Sequence, residues 1–229
     1  MIAWKEIALL LVFLLSSLSV ISQSNKTINL KEIPQRKIRK FIKANAIDTI
    51  RDFSSIHASW KKNFKESDFN LDAEEFYLND LLSAVWNCYR HADPAEAFCG
   101  RTVRFGLLIS KYSNAVIYSD NAHFPDVDTG MVYFLDLRLL KGLFNVPVSF
   151  EVITIDSIRH ILELSYLDDN KSKGKQTIQF FDNGDGTTRI VHRSYFKSDS
   201  KLRDKLFYPY FHRKLIKEYH GNIRQLLIS

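Results

Sequence analysis

The C-terminal third of the chain predicts two paired strands. The segment from Gly174 to Phe181 is rich in strand-forming residues, the run from Asp182 to Gly186 is dense in turn-forming residues, and Thr187 to Phe196 alternates between apolar and polar side chains. This pattern is typical of a β-hairpin. We expect the inward face of the second strand to carry the residues that share one parity: Ile190, His192, Ser194 and Phe196.

The end of the chain predicts a long amphipathic helix. Ser198 to Ser200 supply capping residues, and Pro209 lies near the start of the helix or kinks it, because its ring clashes with the preceding turn. Apolar side chains then recur at helical spacing: Phe211, Leu215, Tyr219, Ile223 and Leu226. A hairpin that leads into such a helix favours a helix lying across the concave side of a sheet.

The middle of the chain predicts one strand, two short helices and then a run of strands. Residues 73–78 fit a strand, residues after Asn79 fit a helix, and Asp93 to Glu96 closely resemble a capping box with proline at the first helical position. Period-two patterns follow at 101–109, 131–139, 146–155 and 160–167, and residues 115–118 extend or follow the first of them. The expected fold class is α+β, with a curved antiparallel sheet of about seven strands.

The first 22 residues have the pattern of a secretory signal peptide. Lys5 precedes an apolar run from Ile7 to Leu15, and small residues up to Ser22 follow it. We therefore expect residues 1–22 to be removed and the protein to be exported, either to a periplasm or outside the cell. An uncleaved anchor is the alternative.

Residues 23–72 predict a basic helical extension. The formal net charge of the chain is +6, and residues 24–65 carry most of its positive character. Within them, Arg36 to Lys43 fits a short helix with Ile38, Phe41 and Ile42 on one side and basic residues elsewhere. Two interpretations stay open: contact with an anionic membrane or an acidic partner, or simple docking of the helix on the domain.

This order of elements resembles the START-like helix-grip superfamily, also called SRPBCC or the polyketide cyclase/dehydrase and lipid transport family. The resemblance covers roughly residues 73–227 and is carried by Leu78 to Trp86, Asp93 to Phe98, Gly184 to Arg189 and the final helix. It implies that residues 73–229 form one helix-grip domain, in which the sheet wraps the C-terminal helix. It also implies a cavity for an apolar or amphipathic small molecule.

The residues on the inward faces of the predicted strands and of the final helix are candidates for ligand binding. They are mostly aromatic and aliphatic, which fits both the wall of a pocket and an ordinary solid core. The resemblance favours the cavity. The candidates are Tyr133, Leu135, Phe150, Val152, Leu164, Tyr166, Phe180, His192, Phe196, Phe211, Leu215 and Tyr219.

Histidine is the one candidate for catalysis. His192, helped by Tyr166 or His212, could move a proton on a bound substrate, but a hydrogen-bonded core histidine fits the same pattern. No zinc motif, phosphate loop or dinucleotide fingerprint occurs, so we expect neither metal nor cofactor. The basic residues of the last strand fit a solvated face, so we expect no nucleic-acid partner.

Cys88 and Cys99 are the only cysteines. An exported chain permits a disulfide between them, and two free thiols fit equally well.

These patterns favour an exported, non-catalytic binding protein that holds a lipid-like molecule between the sheet and the terminal helix. Two alternatives stay open. One is a cavity enzyme of the cyclase or hydrolase kind that uses a histidine as acid or base. The other is an interaction module with a filled core that works through its surface.

Overall fold

An eight-stranded antiparallel sheet forms the centre of the computed structural model, which describes residues 27–228. The predicted signal peptide at residues 1–22 lies outside the described residues. The strands are β1 (Asn70–Leu78), β2 (Val103–Ser110), β3 (Ala115–Tyr118), β4 (Met131–Leu139), β5 (Phe144–Asp156), β6 (Ile161–Tyr166), β7 (Ser172–Asp182) and β8 (Thr188–Ser198). Their order across the sheet is β1-β8-β7-β6-β5-β4-β2-β3.

The helices are distributed over both faces of this sheet. They are α1 (Arg36–Ala44), α2 (Leu82–His91), α3 (Pro94–Ala97) and α4 (Tyr208–Ile228), with a π-helical turn at Arg203–Phe207 directly before α4. Helix α3 begins as its sequence predicts, because the Asp93 side chain accepts a hydrogen bond from the Ala95 amide at 2.6 Å and Pro94 takes the first helical position. The predicted α+β helix-grip fold is confirmed.

The β7–β8 hairpin also forms as predicted. Its strands pair from Ser172 opposite Ser198 to Asp182 opposite Thr188. Gly184 and Gly186 have φ values of +78° and +83°, a conformation that glycine adopts without the steric cost of a side chain. The predicted inward face of β8 is buried at all four positions, Ile190, His192, Ser194 and Phe196.

The sheet has eight strands rather than about seven. Ala115–Tyr118 does not continue β2 but turns back and pairs with it as the short edge strand β3. The first strand begins at Asn70, three residues before the position that the sequence pattern indicates, and pairs with β8 along its whole length. Alternation along a strand does not reveal where pairing with a distant strand begins, so this boundary was missed.

The inner core lies between the concave face of the sheet and helices α2, α3 and α4. Aromatic contacts join these layers: the Phe98 ring stacks on the Tyr219 ring with centroids 4.8 Å apart, and the Trp86 ring meets the Phe180 ring edge-on at 5.4 Å. Ile223 of α4 is fully buried in the same cluster. Helix α4 therefore packs across the sheet as the hairpin-helix pattern predicts.

A second core lies on the outer face of the sheet and is formed by the N-terminal extension. Ile38 and Ile42 of α1 are fully buried against β2 and β4, where Phe134 is 1% exposed. Gly106 makes the close approach possible, because a Cβ at this position would collide with the Ile38 side chain. In its described part, the extension has one α-helix, with one 3₁₀ turn before it and three after it. The basic side chains of α1 that are exposed to solvent are Arg36, Lys37, Lys40 and Lys43.

Cys88 and Cys99 are both free thiols, so the disulfide considered from the sequence is absent. The Cys88 Sγ lies 3.7 Å from the Ile223 carbonyl oxygen of α4, and Cys99 is exposed. Burial, and to a smaller extent the charge of Asp80, raises the pKa of the Cys88 thiol.

Replacing Ile42 by alanine tests the outer core. Because Ile42 is fully buried, the change should lower the free energy of unfolding by about 2–4 kcal/mol through lost burial and the cavity left behind. Chemical denaturation gives this value. The matched control Lys40→Ala, on the exposed side of α1, should stay within about 0.5 kcal/mol of the parent. Equal stability of all three proteins would contradict the packing of α1 on the sheet.

Candidate ligand-binding site

A cavity of about 510 Å³ lies between the first half of α4 and the end of the sheet formed by β4 and β5. Aliphatic and aromatic side chains form most of its wall, and polar groups stand at its inner end and at its mouth. The sheet contributes Leu135, Leu137, Leu139, Val146, Pro147, Val148, Phe150, Tyr166 and Gln176, and the helical segment contributes Arg203, Phe207, Tyr208, Phe211, His212 and Leu215. The mouth is completed by Lys37 and Phe41 of α1, by Asn45 directly after α1, by Asn145, and by residues 169–172.

The cavity exists because neighbouring strands differ in length. Strand β5 has 13 residues and β6 only six, so the part of β5 before Phe150 pairs with β4 alone. Pro147 fits this stretch, since a strand edge without a partner needs no amide hydrogen. Beside it, the Asn170 side chain takes the place of a strand: it accepts from the Ser149 amide at 3.0 Å and donates to the Ser149 carbonyl at 2.7 Å. The sheet is therefore open on this side.

Five of the twelve predicted ligand-binding residues line this cavity: Leu135, Phe150, Tyr166, Phe211 and Leu215. Four others line a second void of about 30 Å³, namely Tyr133, Val152, Leu164 and Tyr219. A void of that size holds about one water molecule. The central part of the predicted pocket is thus filled by side chains, and the open space lies nearer the β4–β5 turn.

The remaining three candidates, Phe180, His192 and Phe196, contact neither space. Phe180 packs edge-on against Trp86, and the Phe196 ring stacks on the Tyr208 ring with centroids 3.6 Å apart. His192 is 2% exposed and has both ring nitrogens bonded inside the protein. Inward parity places these residues correctly but does not distinguish a packed position from a cavity wall.

A buried chain of hydrogen bonds joins α2, α4 and the strands β6, β7 and β8. It runs through seven side chains in the order Tyr89, His220, His192, Gln176, Tyr166, Tyr208 and Ser194. The His220 Nε2 to His192 Nδ1 distance is 2.9 Å, as is that from His192 Nε2 to the Gln176 Oε1.

The Gln176 side chain determines which atom donates in each hydrogen bond that the two histidines make. The Gln176 Oε1 only accepts, so His192 carries its hydrogen on Nε2 and accepts from His220 at Nδ1. His220 then accepts from the Tyr89 hydroxyl at its Nδ1. Both imidazoles are neutral in this arrangement. Burial, with the other histidines nearby, lowers the pKa of His192 well below its usual range, and burial lowers that of His220 to about 3.

His212 stands apart from that chain and lines the cavity. Its Nδ1 lies 3.4 Å from the Asp72 Oδ2, while its Nε2 is buried without a hydrogen-bond partner. The Arg213 guanidinium donates to the Asp72 Oδ1 from Nε at 3.0 Å and from Nη2 at 2.7 Å. Burial opposes ionisation of Asp72, but the hydrogen bonds from His212 and Arg213 outweigh it and lower the pKa of this carboxyl.

Of the proposed catalytic residues, the structure brings His212 and Tyr166 to the cavity and leaves His192 behind its wall. Sequence reasoning missed His220, Gln176 and Tyr208. Helical spacing contained the signal for two of them, because Tyr208, His212 and His220 recur at intervals of four and eight and so share one face of α4. Among residues 27–228, no group of three His, Cys, Asp or Glu side chains is placed to hold a metal ion.

The two buried neutral histidines predict a loss of stability in mild acid. The unfolded chain takes up protons near the ordinary histidine pKa of 6.5, whereas folded His220 does so only near 3. Stability should therefore be complete above pH 6.5 and decrease by about 1 kcal/mol per pH unit for each of the two histidines, about 2 kcal/mol per unit in total, as the pH falls toward 4.5. His220→Gln should reduce this slope in denaturation curves, while His123→Gln, at an exposed position, should not. An unchanged free energy of unfolding between pH 6.5 and 4.5 would contradict the neutral, buried pair.

No protein-family model and no curated protein sequence matches the chain. Solved structures do match it. Norcoclaurine synthase from Thalictrum flavum, in complex with dopamine and hydroxybenzaldehyde, is similar with a TM-score of 0.51 at 11% identity, over 74% of this chain and 93% of that chain. The KanY protein is similar with a TM-score of 0.51 at 11% identity, over 70% of this chain and 99% of that chain.

At identities this low the similarity establishes the fold and not the activity. Both neighbours match over more than nine tenths of their own length, so the likeness covers a whole domain and not a fragment. Together with the sheet that wraps α4 and the cavity between them, it shows that this chain has the helix-grip fold.

Proposed function

We propose that this protein is an exported binding protein that holds an apolar or amphipathic, lipid-like molecule between the sheet and α4. The observation that carries the proposal is the cavity of about 510 Å³ with its mainly aliphatic and aromatic wall. Pockets of several hundred Å³ with a few placed polar groups are typical of small-molecule sites. Affinity would come from burying apolar ligand surface, at roughly 25 cal/mol per Å².

The fold supports a small-molecule ligand. Norcoclaurine synthase, which shares it, was solved with dopamine and hydroxybenzaldehyde, both small molecules. The alternative of an interaction module with a filled core fits this structure less well. Side chains fill the core only around Tyr133 and Tyr219, and the larger cavity would have no role in such a module.

A cavity enzyme of the cyclase or hydrolase kind is the second candidate, and one observation favours it. His212 lines the cavity with Asp72 behind it, and a histidine oriented by a carboxylate can act as a general base. His192 is unsuited to this role because it does not line the cavity and both of its nitrogens are already bonded to protein side chains. An enzyme on this scaffold would therefore use His212.

The export part of the proposal rests on the pattern of residues 1–22. No helix within residues 27–228 is long and apolar enough to cross a membrane.

We further propose that the cavity mouth contacts an anionic membrane. Seven of the 13 large apolar side chains that are exposed among the described residues lie in two segments beside the mouth, Leu140–Phe144 and Leu202–Tyr210. Basic residues lie within or next to both segments: Arg138 and Lys141 at the first, and Lys201, Arg203 and Lys205 at the second. Lys37 of α1 lies on the cavity wall. The apolar side of α1 is buried on the sheet. Helix α1 would therefore attract anionic lipid headgroups through its basic side chains and would not insert apolar side chains into the membrane.

Filling the cavity tests the binding proposal. Val148→Trp places a large ring in the cavity and should weaken binding of 4-octylphenol, measured by isothermal titration calorimetry, by at least about 10-fold, because less apolar ligand surface can be buried. The control Ile158→Trp adds the same ring at an exposed turn away from the cavity and should bind as the parent does. Unchanged affinity in Val148→Trp, or no binding by the parent, would contradict the proposal.

Vesicle binding tests the membrane contact. The protein should sediment with vesicles that contain phosphatidylserine but not with pure phosphatidylcholine vesicles, and binding should weaken steeply with salt, since exposed charges are screened over about 8–10 Å. Leu143→Asp should reduce binding, and the matched change Ile158→Asp should not, although both side chains are exposed. Salt-independent binding, or equal effects of the two changes, would contradict a role for the mouth.

A further inference from the structure

We propose that His212 is the polar anchor for the ligand in the cavity, and that its Nε2 accepts a hydrogen bond from a hydroxyl group at the buried end of an otherwise apolar molecule. The inference rests on the proposed binding function and narrows its ligand class to hydroxyl-bearing apolar molecules such as alkylphenols or fatty alcohols. Four observations carry it.

The first observation is an unsatisfied atom. His212 is only 8% exposed, yet its Nε2 has no hydrogen-bond partner. Leaving a buried polar atom unpaired is costly, and nearly all such atoms in folded proteins have a partner. The other unpartnered buried side-chain atoms among the described residues belong to Gln35 and Asp136, which do not line the cavity. His212 Nε2 is therefore the atom of this wall that a ligand can satisfy.

The second observation fixes whether that atom donates or accepts. Asp72 is held as a carboxylate by Arg213 and only accepts hydrogen bonds, so the hydrogen of a neutral His212 lies on Nδ1. The Nε2 lone pair then points away from Asp72 and requires a donor. An ether or an ester oxygen cannot supply one, whereas a hydroxyl can.

The third observation is that neighbouring polar groups of the wall are already engaged. The Tyr166 hydroxyl accepts from Gln176 at 2.9 Å and bonds to the Tyr208 hydroxyl, which in turn bonds to Ser194 Oγ at 2.7 Å. A ligand hydroxyl would have to break these bonds to use them. His212 offers an acceptor at no such cost.

The fourth observation is that the ring is held in place. The Tyr208 ring stacks on it with an interplanar angle of 16° and centroids 5.0 Å apart, and the His192 ring meets it edge-on at 5.7 Å. The charges behind the ring are two acids and two bases joined by ion pairs, Asp72, Arg213, Glu74 and Lys217, so they balance. The charged groups of the cavity wall lie at its mouth and are Lys37, Asp169, Lys171 and Arg203. The inner end therefore favours a neutral donor over a carboxylate.

Two matched ligands test the anchor. The probes are 4-octylphenol and its methyl ether, 4-octylanisole. In the ether a methyl group replaces the hydroxyl hydrogen, so the ether cannot donate a hydrogen bond to His212. In calorimetric titrations the parent protein should bind the phenol at least about 10-fold more tightly than the ether, since a site built to pair a hydroxyl discriminates against an analogue that lacks it. His212→Phe keeps the ring but not the acceptor and should reduce this preference to about two-fold or less.

Two further variants complete the test. Asp72→Asn keeps His212 but lets the new amide donate to Nδ1, which moves the imidazole hydrogen to Nε2, so the preference for the phenol should fall and ether binding should strengthen. His123→Phe, at an exposed position, should keep the preference of the parent.

Equal binding of the two probes by the parent, or an unchanged preference in both His212→Phe and Asp72→Asn, would overturn the anchor and leave the binding function intact. Failure of the parent to bind either probe would overturn the binding function together with the anchor.

Discussion

The buried hydrogen-bond chain from Tyr89 to Ser194 is the interaction on which the arrangement of sheet and helix depends. Polar atoms buried between two layers must be paired, so α4 can lie only where His220 meets His192 and Tyr208 meets Tyr166 and Ser194. Glu218 adds a second attachment, because its carboxylate accepts from the amides of Arg101, Thr102 and Val103 at 2.9–3.1 Å. Helix α4 is thus fixed at two places: on β6 and β8 through Tyr208 and His220, and at the start of β2 through Glu218.

The cavity follows from that constraint. Because α4 is fixed in this position, the space between its first half and the strands β4 and β5, beside Leu135, Val148 and Leu215, has no side chain to fill it. The short strand β6 opens the sheet at the same place, and Asn170 satisfies the backbone of Ser149 there without closing the gap. The outer face of the sheet, in contrast, is covered by the extension. Both faces therefore contribute to stability, and only one end remains open.

The sequence predicted the fold well because its signals are local. Alternation in β8 placed Ile190, His192, Ser194 and Phe196 on the inner face, and the element order indicated a sheet that wraps a helix. The location of the cavity was not predictable in the same way. It depends on the unequal lengths of β5 and β6 and on the rotation of α4, which are set by contacts between residues far apart in the chain.

Helix α4 shows what a pattern of apolar residues does not predict. Its apolar positions, Phe211, Leu215 and Tyr219, predict one face toward the sheet, whereas the most buried residues of this stretch are His212, Ile216 and His220. A prediction that takes only apolar residues as buried does not identify polar side chains on the buried face. For that reason His192 was favoured as the site histidine, although His212 is the one that lines the cavity.

The most direct measurement of the central claim is a methyl-resolved NMR titration of the intact protein with 4-octylphenol. If the cavity between the first half of α4 and the strands β4 and β5 holds the ligand, the methyl signals of Leu135, Val148 and Leu215 should shift as the ligand binds. Those of Leu162, Ile178 and Ile190, in the filled part of the core, should stay in place. Shifts confined to the second group, or no shifts at saturating ligand, would contradict the account.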